Sequence, residues 1–228
     1  MSQQSGKKLT LYVDVISPFA YMAYWLTRNS PVFTHSNIQI TYIPILLGGV
    51  MQKTGNVTPI SITNKKDWIN LERTRTAKTL RIPIVDTVPQ PFPQATTNTQ
   101  RALCHIYATK SQTELIKALD ALYTAFWQKG LTPINDVKNI GKALEEGGFS
   151  EEEVKEILSG VKGDVAKKVL RENSDAAFDD GCFGLPWFVA TNEAGDKQSF
   201  WGVDHVGQVL EHLGVEVKGE NGRYRSML

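Results

Sequence analysis

The chain of 228 residues is 41% hydrophobic and 21% charged, with a formal net charge of +1. Such a length buries a real core, in one large domain or one domain with an insertion. The near-neutral balance and scattered basic residues give no electrostatic reason to expect a nucleic-acid or membrane-surface partner.

The polar start MSQQSGKK is too short for a signal or transit peptide, because a strand begins near Leu9. LTLYVDV alternates and is rich in β-branched and aromatic residues, as a strand requires. Pro18 follows where a helix can start, its missing N–H being no loss in the first turn. FAYMAYWLTRN carries that helix to about Asn29, and NIQITYIPI (37–45) is a second strand. Strand, helix, strand at this spacing is a βαβ unit, so the two strands are expected to be parallel. Residues 46–63, with Gly48-Gly49, Gly55-Asn56 and Pro59, read as loop.

From about Lys65 to Asp180 the pattern is helical. QTELIKALDALYTAFWQKG places Leu115, Leu119, Leu122, Phe126 and Trp127 on one face and ends at Gly130. SEEEVKEILSG opens on a capping box, Ser150 with Glu153 three residues on. VAKKVLRENSDAAFDDG keeps the helical period, whereas IPIVDTVPQPFPQ must be extended. After Gly181, LPWFVAT and KQSFWG form a hairpin about the turn NEAGD. VDHVGQVLEHLG closes with a helix, capped by Asp204 and stopped at Gly214. The order βαβ…ββα describes an α/β, thioredoxin-like fold with a large all-helical domain inserted after the second strand. Residues 1–63 and 181–228 make the discontinuous thioredoxin-like domain, and 64–180 the helical insertion domain.

No apolar run approaches the roughly 20 residues that span a bilayer. The two cysteines, Cys104 and Cys182, lie far apart and in no C-x-x-C arrangement. The histidines His35, His105, His205 and His212 never fall in a metal-ligand spacing. Neither a disulfide framework nor a metal site is expected, and a reducing, intracellular compartment is.

In this fold the reactive group lies at the N-terminus of the first helix, where unpaired N–H groups and the helix dipole favour an anion. Redox members place C-x-x-C there. Here the chain offers Ser17-Pro18-Phe19-Ala20, which leaves no dithiol. Ser17 is either an ordinary N-cap or a hydroxyl that donates to a bound anion. Pro186, at the start of a strand, fits either peptide isomer; a cis bond turns the Leu185 N–H and C=O outward to pair with a peptide-like ligand. The N–H groups of Val203 and Asp204 can hold a carboxylate, or Asp204 simply caps its helix. Asn56 offers a loop amide, and Lys65 or the adjacent Lys66 a cation for a carboxylate; each is equally a turn or surface residue.

Taken together, LYVDVISPFAY, LLGGVMQKTGNVTP, LRIPI, AFDDGCFGLPWFV and FWGVDH resemble the kappa-class glutathione transferases. More distantly they resemble the 2-hydroxychromene-2-carboxylate isomerases, both being glutathione-using members of the DsbA-like thioredoxin group. The resemblance covers most of the chain and rests on the order and spacing of these pieces. It implies glutathione as co-substrate, a small electrophilic second substrate, a homodimer and no metal. It makes Ser17 the catalytic serine that hydrogen-bonds the glutathione sulfur. Asn56 and Lys65 match positions near the glycyl end. Leu185, before an expected cis Pro186, matches the residue whose backbone pairs with the cysteinyl part. Asp204 matches the acidic position at the γ-glutamyl end. The family places a serine immediately before that aspartate where this chain has Val203, so a hydroxyl contact is lost while the backbone N–H stays.

The implied activity is conjugation of glutathione to electrophiles, with hydroperoxide reduction beside it. The alternatives are the isomerase reaction and a non-catalytic glutathione- or protein-binding module. Ser226-Met227-Leu228 resembles a peroxisomal address apart from its non-basic middle residue, so the expected location is cytoplasmic or peroxisomal, with a mitochondrial one left open.

Overall fold

The computed structural model describes residues 6–216; the Ser226-Met227-Leu228 tail lies outside the described residues. In chain order the strands and helices are β1 (Lys7–Val13), α1 (Pro18–Asn29), α2 (Pro31–Thr34), β2 (Ile38–Pro44), α3 (Leu47–Thr54), α4 (Lys65–Leu80) and α5 (Thr97–Thr109). Then follow α6 (Gln112–Tyr123), α7 (Val137–Glu146), α8 (Glu151–Gly160), α9 (Asp164–Asp179), β3 (Trp187–Thr191), β4 (Lys197–Trp201) and α10 (Val206–His212). The sheet order is β2-β1-β3-β4. β1 and β2 run parallel, from Lys7 opposite Ile38 to Val13 opposite Pro44, as the βαβ reading requires. β3 runs antiparallel to β1 and forms the expected hairpin with β4.

Alternation along β1 divides the sheet between two faces. Leu9, Leu11 and Val13 point into a continuous buried cluster that takes in Phe188, Tyr21 and Tyr24 of α1, and the apolar faces of α5, α6, α7 and α8. On the other face Tyr12, Trp187 and Val189 pack with Val50 of α3 and Ala177 of α9. The helical stretch is therefore welded to the sheet. Leu115, Leu119, Leu122, Phe126 and Trp127 are all fully buried, as their spacing predicts. The chain widens to a π turn over Thr124–Gln128, within which Phe126 and Trp127 are both buried. The capping box of α8 is present, and Ser111 with Glu114 makes a second at α6.

One segment departs from the sequence reading. Residues 46–63 are not all loop: α3 occupies Leu47–Thr54, and a 3-10 turn spans Pro59–Ser61. Two glycines in the first turn cost about 1 kcal/mol each in intrinsic propensity. Distant partners offset this. The Leu46 N–H donates to Ser174 Oγ at 3.1 Å, and the Leu47 N–H to Asp14 Oδ2 at 2.9 Å. Val50 is buried against the sheet, and Gly55, at φ 72°, closes the helix in the left-handed region.

A packing test arises at the α5–α8 contact. A Cβ on Gly160 would lie 2.4 to 2.6 Å from three ring atoms of His105. Gly160→Ala should therefore destabilise the fold by about 1–3 kcal/mol, lowering Tm by several degrees in a thermal melt. An unchanged Tm would mean that the His105 ring swings out at no cost.

Candidate active site

The sheet register alone gathers the candidate residues. β1 and β2 both end, and β3 begins, at one edge, since Val13 faces Pro44 and Tyr12 faces Trp187. β4 ends there too, with Trp201 opposite Trp187. The four segments leaving that edge carry Ser17, Leu185–Pro186, Val203–Asp204 and, by way of α3, Asn56. Lys65 is not placed by this register.

Ser17 caps α1. Its backbone is extended (φ −84°, ψ 116°), its Oγ accepts the Ala20 N–H at 3.1 Å, and Pro18 takes the first helical position. The Ser17 N–H donates to the Asp14 carbonyl at 3.1 Å and its own carbonyl accepts the Tyr21 N–H at 3.0 Å. The residue is 6% exposed. Capping consumes one lone pair of the hydroxyl; its proton goes to no group among the described residues. Ser17 is therefore an N-cap whose hydroxyl hydrogen has no acceptor among the described residues.

The Leu185–Pro186 bond is cis. Leu185 shares a buried cluster with Ala20, in the helix turn that Ser17 caps, and with Ile45, Cys182 and Trp187. The Pro186 carbonyl accepts the Gly202 N–H at 3.0 Å and so ties this loop to the end of β4. Gly202 has φ 95°, which lets the chain turn sharply into a 3-10 turn over Val203–His205 that packs on α1.

That turn corrects the reading of Asp204 as a helix cap. α10 begins only at Val206, preceded by His205 with no side-chain capping bond, and the Asp204 side chain is about three-quarters exposed. The N–H groups of Val203 and Asp204 open the 3-10 turn and have no acceptor within it. The Val203 side chain is buried in the core, so a ligand can meet only its backbone.

Asn56 is exposed and committed on two sides. Its Nδ2 donates to the Phe183 carbonyl at 2.7 Å and its Oδ1 accepts the Val57 N–H at 2.9 Å, which leaves one amide hydrogen and one lone pair. The side chain thus bridges the end of α3 to the loop before Leu185. Lys65 and Lys66 open α4 and are both exposed. With Asp67 in the same turn they leave one net positive charge beside the positive end of the helix, a modestly electropositive corner.

Three features escaped the sequence reading. Phe183 and Trp201, both substantially exposed, pack with ring centroids 4.9 Å apart and planes tilted by 53°, beside Asn56. His205 sits with Nδ1 3.5 Å from Asp204 Oδ2. Asp14 is fully buried under the Ser17 turn. No short-range motif marks any of them; a buried acid three residues before the cap is the only local signal. Burial pushes the Asp14 carboxyl upward, opposed by the N–H groups of Leu47 and Ile16 and by Gln100 and Thr96. Burial also raises the Cys182 thiol to about 11 and the Cys104 thiol further, so both stay protonated at neutral pH. Among the described residues no group of three or more His, Cys, Asp or Glu side chains is placed to hold a metal ion, and no helix is long and apolar enough to cross a membrane.

The profile of the DSBA-like thioredoxin domain matches residues 8–214. The chain is 27% identical over 218 residues to glutathione S-transferase kappa 1 of Rattus norvegicus, covering 92% of each chain. It is 26% identical over 211 residues to glutathione S-transferase kappa 1 of Caenorhabditis elegans, covering 90% of each. Among solved structures it superposes on a 2-hydroxychromene-2-carboxylate isomerase with a TM-score of 0.73, at 22% identity and over 91% of this chain and 94% of the other.

Proposed function

This chain belongs to the DSBA-like thioredoxin family, and within it we propose a glutathione transferase in which Ser17 stabilises the thiolate of bound glutathione. The observation that carries this reading is the Ser17 hydroxyl. It stands at the helix N-terminus where redox members keep a thiol, fixed by the Ala20 N–H and with its proton free to donate. The similarity to kappa-class transferases along nine-tenths of the chain supports glutathione as the co-substrate.

The tripeptide lies along the sheet edge. Its cysteinyl N–H and C=O pair with the Leu185 backbone beside Pro186, which sets the sulfur over Ser17. The γ-glutamyl carboxylate takes the N–H groups of Val203 and Asp204. The glycyl carboxylate faces Asn56 and the electropositive corner at Lys65 and Lys66. A cysteine thiol titrates near ~8.5, leaving a few per cent ionised at neutral pH. One hydroxyl hydrogen bond plus the end of α1 lowers this by roughly 2 units, and most of the bound thiol is then ionised. The thiolate attacks an electrophilic carbon, forming the C–S bond as halide leaves. Alternatively it attacks the terminal oxygen of a hydroperoxide, forming an S–O bond as the O–O bond breaks and the alkoxide leaves, protonated, as the alcohol; a second glutathione then displaces water from the resulting sulfenic acid to give the disulfide. Ser17 itself makes no covalent bond to substrate.

The test is calorimetric binding of glutathione followed by its conjugation to an activated aryl halide. Saturable binding with turnover is expected. Binding without aryl conjugation but with isomerisation of a ring-opened aromatic acid would replace this reading by the isomerase one. Binding without either reaction would leave a glutathione-binding module. We place the active species as a homodimer, consistent with Trp68 and Leu71 standing about half exposed on α4. Light scattering should give twice the 25.4 kDa chain mass, and a monomer would refute it.

A further inference from the structure

Asp14 is a fully buried acid with no cation against it among the described residues. Its described partners are all neutral donors: the Ile16 N–H at 3.1 Å and Gln100 Nε2 at 2.7 Å to Oδ1, the Leu47 N–H at 2.9 Å and Thr96 Oγ1 at 3.1 Å to Oδ2. Four donors suit a carboxylate, which accepts at both oxygens and donates at neither. An asparagine would turn an NH2 group towards two of them.

These donors come from three separate places. Ile16 belongs to the turn that presents Ser17. Leu47 opens α3, the helix that delivers Asn56. Thr96 and Gln100 lie at the start of α5, in the helical stretch. The Asp14 main chain adds a further hold: its carbonyl accepts the Ser17 N–H at 3.1 Å and the Tyr123 hydroxyl at 3.4 Å. Side chain and main chain together close an Asx turn inside a β-turn across residues 14–17, so they set the direction in which Ser17 leaves the strand. The Gln100 amide accommodates this arrangement. It aims its nitrogen at Asp14, and its buried Oε1 has no partner among the described residues.

We propose that Asp14 is the positioning residue of this site: its carboxylate locks the 14–17 turn to α3 and α5 and thereby aims the Ser17 hydroxyl at the bound sulfur. The inference rests on the role given to Ser17 under Proposed function. Asp14 touches neither sulfur nor electrophile, and its contribution passes through Ser17.

A double-mutant cycle on the thiol pKa of bound glutathione, read by ultraviolet thiolate absorbance, tests this. Neutralising Asp14 also removes a negative charge whose field on the sulfur is the same whether or not Ser17 is present. The informative quantity is therefore the difference between two shifts: that of Asp14→Asn in the Ser17 protein and that of Asp14→Asn in the Ser17→Ala background. The expected difference is about one pKa unit, or tenfold in the thiolate-to-thiol ratio, with the higher pKa where Ser17 is present. Equal shifts in the two backgrounds would overturn the proposal, reducing Asp14 to a structural or field effect. Thr96→Val keeps the charge and shape and removes one donor; it should show a smaller coupling of the same sign, and none overturns the proposal if Asp14→Asn does not fold. Failure of the Ser17 reading is separately visible. Ser17→Ala alone would then leave the bound thiol pKa unmoved, and the inference would fall with it.

Discussion

Ser17→Ala should lower kcat/KM for conjugation at neutral pH by roughly ten- to a hundredfold while leaving glutathione bound. The magnitude follows from the bond removed. A neutral hydroxyl hydrogen-bonded to an anion contributes about 1.5–3 kcal/mol, and each 1.36 kcal/mol is about a factor of ten in rate. The sign with pH is fixed. The hydroxyl favours the ionised thiol, so its loss raises the thiol pKa towards the free value near ~8.5. The deficit should be large at neutral pH, where the variant's bound glutathione is mostly thiol. It should shrink as pH rises through the new pKa, where both proteins hold thiolate. Ser17 also caps α1 through the Ala20 N–H, so the same substitution should cost about 1 kcal/mol of stability. Stability and activity then separate cleanly. A Gly substitution at the cap costs only a few tenths of a kcal/mol, yet should lose as much activity as alanine. Equal activity in wild type and both variants across pH would remove the hydroxyl from the mechanism.

The largest stability effect is expected at Trp127, one of the biggest fully buried side chains. Its Nε1 donates to the Val15 carbonyl at 2.8 Å, two residues before Ser17. Its ring meets Phe126 edge-on at 4.9 Å and Phe92 at 6.0 Å, and the Arg73 guanidinium lies 6.0 Å from its centroid. Trp127 thus joins the π turn, the Pro-rich segment, α4 and the turn that presents Ser17. Trp127→Ala should cost about 3–5 kcal/mol, and at this chain length each kcal/mol lowers Tm by about 2–4 °C. Trp127→Phe keeps most of the volume but leaves the Val15 carbonyl without its donor, for about 1–3 kcal/mol. The two losses differ in kind: the first should also reduce transferase activity by loosening the Ser17 turn, while the second should act mainly on stability. Chemical denaturation alongside steady-state rates reads both, and a Trp127→Ala loss below 1 kcal/mol would contradict this account of the core.

What the sequence revealed and what it hid follow one division. Features written in a local run were readable: the period-2 strands, Pro18 at the first helical position, the Ser150–Glu153 capping box and the apolar stripe through Trp127. The chain order of these pieces was enough for the thioredoxin-like topology. What failed depended on partners far away in sequence. α3 forms through Gly48 and Gly49 because Ser174 and Asp14 satisfy its first N–H groups, and neither can be seen from residues 46–63. Asp204 looked like a cap because a short acidic residue precedes an apolar period; a 3-10 turn opened by Gly202 intervenes and frees it. At the site, Ser17, Leu185, Pro186, Val203 and Asp204 emerge from one sheet edge, as the βαβ…ββα order demands. Asn56 reaches them only through the helix that was missed. Asp14 was passed over because its function lies in four donors spread over three elements, none adjacent to it in sequence apart from Ile16.

The measurement closest to the central claim is an ultraviolet titration of the wild-type glutathione complex, following thiolate absorbance against pH beside free glutathione. The account predicts that the bound thiol titrates roughly 2 units below the free value near ~8.5, and that Ser17→Ala returns it most of the way. A bound thiol that titrates with free glutathione in the wild-type protein would contradict it, leaving a thioredoxin-fold protein that binds glutathione without activating it.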